Sequence, residues 1–83
     1  MIFNIETQHN IGDIVYAADH YYDFYAVKEP YVIVDIIVNI SNNGIRTMYC
    51  AEQNGRTTRF PAEWLFDTYA ECTKWCKAKN ESL

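Results

Sequence analysis

The chain has 83 residues, of which 49% are hydrophobic and 16% aromatic, and its net charge is −4. This length suits one domain, and the aromatic content excludes a disordered chain. No apolar run approaches the roughly 20 residues of a membrane span. The first residues have neither the basic region nor the long apolar stretch of a signal peptide. We therefore expect a cytoplasmic protein that does not associate with membranes.

The charge is distributed unevenly along the chain. Residues 1–40 hold six acids and one base, a balance of −5, whereas residues 41–83 hold five acids and six bases, a balance of +1. The acidic half disfavours direct nucleic-acid binding, because phosphate neutralisation by Lys and Arg supplies most of that affinity. It favours a protein partner with a basic surface.

The first predicted strand follows a Gly-Asp turn at residues 12–13, because residues 14–16 (IVY) favour extended backbone. An aromatic segment follows over residues 19–31 (DHYYDFYAVKEPY). Pro30 biases the residue before it towards extended backbone and so disfavours a helix. We predict a long extended loop here, partly core and partly acidic surface.

Alternation within the aromatic segment places Tyr21, Asp23 and Tyr25 on one side, with Tyr22 and Phe24 on the other. Two interpretations stay open: the rings fill the core, or several tyrosines remain exposed beside carboxylates. In the second case tyrosine supplies contact area at low entropic cost, and the acids steer a basic partner. The residues assigned to this partner-binding surface are Asp19, Tyr21, Tyr22, Asp23, Tyr25 and Glu29.

The strand predicted over residues 31–40 (YVIVDIIVNI) has two faces at a period of two. We assign the wholly aliphatic face to the core: Val32, Val34, Ile36, Val38 and Ile40. The opposite face is partly apolar: Tyr31, Ile33, Asp35, Ile37 and Asn39. We expect the C-terminal helix or another chain to cover that second face.

Two Asn-Gly turns, at residues 43–44 and 54–55, separate β-favouring runs. They predict strands over about 45–52 and 57–60, and thus an antiparallel meander with the preceding strand. A single helical turn is predicted over residues 61–66 (PAEWLF), because proline suits the first helical position. This turn tucks its tryptophan and leucine onto the sheet.

A helix is predicted over residues 67–80 (DTYAECTKWCKAKN). Thr68 and Glu71 have the spacing of a capping box at its start. Tyr69, Cys72 and Cys76 recur at helical spacing and form its apolar stripe. The sequence thus predicts a mainly β (α+β) domain over residues 1–83: an N-terminal arm (1–10), strands (11–60), and the turn plus helix (61–80).

These motifs together resemble small SH3-like barrel proteins encoded by phages, prophages and bacterial mobile elements. The resemblance rests on IGDIVY (residues 11–16), the aliphatic strand, the Asn-Gly hairpin and RFPAEWLFDTYAEC (residues 59–72), and it spans roughly residues 11–76. It implies a small SH3-like antiparallel barrel or curved sheet in a bacterial host cell. The segment 19–31 departs from the family because it is longer and more aromatic than a first loop needs.

No catalytic or metal-binding pattern stands out. The odd number of cysteines, Cys50, Cys72 and Cys76, suits a reducing compartment, where they are free thiols. A metal site that combines them with His20 lacks the paired C-x2-C spacing of structural zinc. His9 lies in the N-terminal arm, and neither histidine belongs to a recognisable nucleophile–base arrangement. We predict no enzyme activity, no cofactor and no metal.

The function that the sequence favours is a non-enzymatic protein-binding module that inhibits or modulates a host protein. An anti-defence protein, such as an inhibitor of a CRISPR nuclease complex, is one concrete form. The alternative is a module that binds nucleotides or nucleic acids, in which Arg46, Arg56 and Arg59 meet phosphate and the tyrosines stack on bases. In a plainer interpretation, these arginines pair with Glu52 and Glu63. A homodimer that buries Ile33 and Ile37 is a further alternative.

Overall fold

The computed structural model describes residues 8–82. Its elements in chain order are β1 (Ile14–Tyr21), β2 (Asp23–Ala26), β3 (Tyr31–Ser41), β4 (Gly44–Gln53), β5 (Arg56–Pro61), a 3-10 turn (Ala62–Trp64), β6 (Leu65–Phe66) and α1 (Tyr69–Glu81). Every strand pairing is antiparallel. The protein is therefore mainly β with one C-terminal helix, as the sequence predicts.

The strands form one sheet in the order β2-β1-β3-β4-β5, and β6 pairs with β1. β1 has three partner strands, since it pairs with β2, β3 and β6 along different parts of its length. β5 pairs only with β4 within residues 8–82, so the sheet is open at that edge. The predicted meander corresponds to β3, β4 and β5. Its second turn is Asn54–Gly55, where both residues have positive φ, as an Asn-Gly hairpin turn requires.

The main core lies on the inner side of the curved sheet. Five strands contribute its buried side chains: Val15, Ala17, Tyr31, Ile33, Tyr49, Ala51, Phe60 and Leu65. The rings of Tyr31 and Phe60 pack edge to face, with their centroids 5.1 Å apart. Because side chains from β1 and from β3–β5 contact one another, the sheet must curve around this cluster.

A β-bulge in β3 decides which side chains of that strand reach the core. Ile33 pairs with Ala51 and Asp35 pairs with Cys50, so Val34 is an extra residue that has no partner on β4. An extra residue reverses the alternation of the strand beyond it. Ile33 before the bulge and Ile36 after it therefore both pack on the inner core.

The prediction of one continuous aliphatic core face on β3 is consequently wrong. Val32 and Val34 are 42% and 39% exposed on the outer face, and Ile40 is exposed near the tip of the β3–β4 hairpin. Of the five residues assigned to the core face, Ile36 packs against the core, and Val38 is half-buried. Period-two reasoning assumes unbroken pairing, and the bulge breaks it.

α1 covers the outer face of β1, β2 and β6, where it forms a second, smaller core. The Thr68 hydroxyl oxygen accepts a 3.1 Å hydrogen bond from the Glu71 backbone N–H, which confirms the predicted N-cap. Cys72 and Cys76 of the predicted stripe are buried against Ala18, whereas Tyr69, its third member, is 39% exposed. The 3-10 turn begins after Pro61, and the residue that follows the turn, Leu65, is buried in the main core.

Asn80 joins α1 to β2 by two hydrogen bonds that the sequence does not reveal. Its side-chain Oδ1 accepts from the Phe24 backbone N–H, and its Nδ2 donates to the Phe24 carbonyl, each at 2.9 Å. The Phe24 ring lies between Trp64 and Trp75, with centroid distances of 5.4 and 5.1 Å. Backbone and side chain of Phe24 are thus both fixed against the helix layer.

His9 is buried, which corrects its assignment to a free N-terminal arm. Its ring packs edge to face on Tyr49 at 5.6 Å, and its backbone N–H donates to the Tyr49 hydroxyl at 3.3 Å. Its Nδ1 lies 3.4 Å from Asp67 Oδ1. The part of the predicted arm that includes His9 is therefore packed on the main core, and residues 1–7 of that arm lie outside the described residues.

The bulge makes a prediction about neighbouring residues of β3. Ile33→Ala should lower the free energy of unfolding by about 3 kcal/mol, because it leaves a cavity in a fully buried site. Val32→Ala should cost below about 1 kcal/mol, because its side chain faces water. Urea denaturation of both variants measures the difference. Equal losses at the two positions would contradict the observed register.

Candidate functional site

The aromatic segment forms a β-hairpin instead of the predicted loop. β1 continues to Tyr21, β2 begins at Asp23, and the two strands pair from Ala18–Ala26 to Tyr21–Asp23. Tyr22 is the single residue between them, and its φ of 64° lies in the left-handed region. The sequence gives no warning of this turn, because glycine or asparagine ordinarily occupies such a position.

The two faces of this hairpin have different environments. Phe24 and His20 pair across the strands with their rings 4.7 Å apart, and Phe24 continues into the core beneath α1. The opposite face carries Asp19, Tyr21 and Tyr25, which alternate along the strands with Phe24 and the exposed His20. We call residues 19–25 the tyrosine hairpin.

The tyrosines of this hairpin are exposed to solvent. Tyr21 and Tyr22 at the tip are 72% and 84% exposed, and Tyr25 is 46% exposed. The rings of Tyr21 and Tyr22 pack on each other at an angle of 70°, with their centroids 4.6 Å apart. Asp23 beside them is also exposed. The tip therefore presents two mutually packed aromatic rings and a carboxylate to solvent.

Behind the tip, Asp19 holds the hydroxyl of Tyr25. Its Oδ2 accepts a 3.3 Å hydrogen bond from the Tyr25 hydroxyl, and its Oδ1 accepts from the His20 backbone N–H at 2.8 Å. Partial burial raises the pKa of Tyr25, and the negative charge of Asp19 raises it further. The same two causes raise the pKa of Tyr31, with a smaller contribution from Tyr25. Both hydroxyls therefore remain protonated and able to donate at neutral pH.

Glu29 does not join this cluster, although the sequence assigns it to the same surface. Its carboxylate accepts a 3.1 Å hydrogen bond from Asn54 Nδ2, and its carbonyl accepts from Gln53 Nε2 at 2.9 Å. Glu29 is therefore tied to the β4–β5 turn. The other five predicted residues lie together on the tyrosine hairpin.

The three arginines of the alternative site do not share one surface. Arg56 and Arg59 are three positions apart on β5, so their side chains leave opposite faces of the sheet. Arg46 and Arg59 share the outer face, separated along the strands by about four residues, or ~13 Å. All three are exposed. Within residues 8–82 no carboxylate lies within 4.0 Å of an arginine, so the suggested pairing with Glu52 and Glu63 is not observed.

The cysteines occupy two separate environments. Cys72 and Cys76 are buried beneath α1, whereas Cys50 is half-buried on the outer face of the sheet. The pKa of Cys72 is raised to about 12, mainly by burial and also by the neighbouring Cys76 thiol. In the part of the chain that the structure describes, no three His, Cys, Asp or Glu side chains are placed to hold a metal ion.

Comparisons with known protein families, curated proteins and solved structures found no match to this chain. Within the described range, no helix has the length and apolar character needed to cross a bilayer. The assignment of a site therefore depends on geometry alone, and the tyrosine hairpin is the most distinctive exposed feature of the described chain.

The cysteine environments predict different rates of labelling. Cys50 should react with a maleimide in the folded protein, because its side chain reaches solvent. Cys72 and Cys76 should react only after denaturation, because buried thiols with raised pKa values form little thiolate. Mass spectrometry of the protein before and after denaturation gives the number of maleimide labels per chain. Rapid labelling of all three thiols in the folded state would contradict the helix packing.

The left-handed backbone of Tyr22 predicts that glycine is more stable than alanine at this position, the reverse of the usual order in a strand. Tyr22→Gly should be more stable than Tyr22→Ala by about 1 kcal/mol, since both lose the ring and only glycine relieves the strain. Tyr21 is the matched control, because its extended strand backbone disfavours glycine. There Tyr21→Gly should be less stable than Tyr21→Ala. Chemical denaturation tests both pairs, and the same order at both positions would contradict the turn geometry.

Proposed function

We propose that this protein is a non-enzymatic binding module whose tyrosine hairpin recognises another protein and thereby inhibits or modulates it. The observation that carries the proposal is the tip: Tyr21 and Tyr22 are largely in solvent, and Tyr22 keeps a bulky ring at a strained backbone position. Exposed aromatic surface and backbone strain both cost folding free energy. Tyrosine is also among the residues that contribute most to binding at protein interfaces.

The charge around the tip supports a partner with a basic surface. Asp19 and Asp23 belong to the hairpin, and Lys28 is the only base in residues 1–40. Complementary charge accelerates association and excludes acidic partners. Because ions screen exposed charges, binding should weaken as the salt concentration rises.

The proposed setting is the cytoplasm of a bacterial host, with the protein encoded by a phage or another mobile element. The order of elements supports an SH3-like class: a first strand and hairpin, a three-stranded meander, one 3-10 turn, and a short strand that returns to β1. An anti-defence role is the concrete form that we propose. CRISPR nuclease complexes have positively charged channels for nucleic acid, and an acidic aromatic hairpin is suited to compete for such a surface.

Affinity capture tests the role of the hairpin. The immobilised protein is exposed to a bacterial lysate, and bound proteins are identified at low and high salt. Tyr21→Ala, Tyr22→Ala and Asp23→Lys should each abolish capture of the specific partner without lowering the melting temperature appreciably, because these side chains make no core contacts.

Two variants serve as matched controls for this capture. Glu63→Lys reverses an exposed charge on the 3-10 turn, and Tyr69→Ala removes a partly exposed tyrosine from α1. Both should retain the partner. Capture that survives all three hairpin substitutions would refute the proposed site. Addition of the purified protein to a CRISPR nuclease reaction then tests the anti-defence form directly, through inhibition of target cleavage.

The alternative, a nucleotide- or nucleic-acid-binding module, has less support because the arginines are divided between two faces. It predicts that nucleotides or oligonucleotides raise the melting temperature of the protein. It further predicts that Arg56→Ala and Arg59→Ala abolish that rise, since arginine supplies the contacts to phosphate. This pattern would replace protein binding as the favoured function.

A further inference from the structure

The two edge strands of the sheet differ in how their backbone groups are bonded. On β2, the side chain of Asn80 bonds both the N–H and the carbonyl of Phe24. β5, at the other edge, pairs only with β4 in the described part of the chain, and its first four residues are exposed. Unpaired backbone groups on an edge strand are a template for another strand. β5 is therefore the edge that a further strand can extend.

The hairpin turn before β5 determines which of its backbone groups point outwards. The residues that flank a two-residue turn, here Gln53 and Arg56, exchange backbone hydrogen bonds, and bonded pairs then alternate with non-bonded ones along the two strands. The N–H and carbonyl groups of Thr57 and Arg59 therefore point away from β4. Pro61 has the same phase as these two residues, as expected for a proline on an edge strand, where its missing N–H breaks no pairing.

The side chains of β5 carry two positive charges and no negative charge. Arg56 and Arg59 are three positions apart and exposed, and they leave opposite faces of the strand. Glu52 is on β4 opposite Thr57, so β5 separates it from any strand that is added at the edge. The edge therefore repels a basic strand and is complementary to an acidic one.

We propose that β5 binds an extended acidic segment of another protein, which adds to the sheet as a further strand. The backbone groups of Thr57 and Arg59 supply two donors and two acceptors to this segment. Because residues on neighbouring strands lie directly opposite one another, carboxylates that face Arg59 and Arg56 are themselves three positions apart. The segment that fits best is therefore acid-x-x-acid, with β-favouring residues at the other positions.

A second copy of this chain does not suit the edge. Pairing of β5 with β5 brings the arginines of two copies together, and the backbone of Phe24 on the acidic strand β2 is already bonded to Asn80. The homodimer suggested by the sequence cannot bury Ile33 between copies, because this side chain is fully buried in the core. The proposal does not depend on the role of the tyrosine hairpin, which lies at the opposite edge.

Synthetic peptides test the proposal on the full chain. The capped heptapeptide TEVTEVT has glutamates three positions apart, whereas TEVETVT has the same composition with glutamates two positions apart. Titration followed by ¹H–¹⁵N NMR should shift the amide signals of Thr57 and Arg59 when TEVTEVT is added. We expect TEVETVT to bind about tenfold more weakly, and TKVTKVT, with lysines in place of the glutamates, not to bind.

Proline substitutions separate strand addition from simple attraction of charge. Thr57→Pro removes an N–H that points to the free edge, so it should abolish binding of TEVTEVT while the protein stays folded. Thr58→Pro is the matched control, because it removes a donor to β4 and should lower the melting temperature instead. Binding that survives Thr57→Pro unchanged would show that the arginines attract the peptide without strand addition, and would overturn the proposal.

Charge reversal provides a test that leaves the backbone of β5 unchanged. Arg56→Glu combined with Arg59→Glu should invert the preference, so that TKVTKVT binds and TEVTEVT does not. Lys77→Glu on α1 and Tyr22→Ala on the tyrosine hairpin should leave the binding of TEVTEVT unchanged, and circular dichroism verifies that every variant is folded. Amide signals of Thr57 that do not move at millimolar peptide would overturn the proposal. So would a wild-type dimer that Thr57→Pro dissociates, since a second copy would then occupy the edge.

Discussion

The extra residue at Val34 is the constraint on which the arrangement of the sheet depends. With unbroken alternation, Ile33 and Ile36 would face opposite sides of β3; with the bulge, both pack on the inner core. Bulges also bend and twist the strand that carries them, which helps a short sheet curve around its own side chains. Val32, which precedes the bulge, and Val34, the extra residue itself, are both exposed on the outer face. The bulge therefore determines which side chains in the second half of β3 reach the core.

The tyrosine hairpin depends on a second set of contacts, on the other side of β1. Phe24 lies between Trp64 and Trp75, and its backbone is held by Asn80. An inward anchor of this kind holds the hairpin in place, so the proposed binding through Tyr21 would cost little conformational entropy. Rigid packing on one face of the hairpin is thus compatible with the binding role that we propose for the other face.

Local signals in the sequence were sufficient for those elements that local chemistry determines. The Asn54–Gly55 turn is encoded by two residues that tolerate positive φ, and the start of α1 by the Thr68 hydroxyl. The bulge at Val34, the turn at Tyr22 and the docking of His9 are different. Each arises because side chains distant in sequence pack together and override the local preference. The same reason explains why composition located the tyrosine hairpin in the chain but could not show which rings face solvent.

Asn80 also has a consequence for the way in which other molecules can approach this protein. β2 is an edge strand, and a free edge invites a foreign strand to extend the sheet through its backbone. At Phe24 the amide of Asn80 already uses both the backbone donor and the backbone acceptor. Strand addition is therefore blocked beside the hairpin tip. A partner of the proposed kind would therefore contact side chains of the hairpin instead of its backbone, and the same blockage protects this edge from aggregation through strand addition.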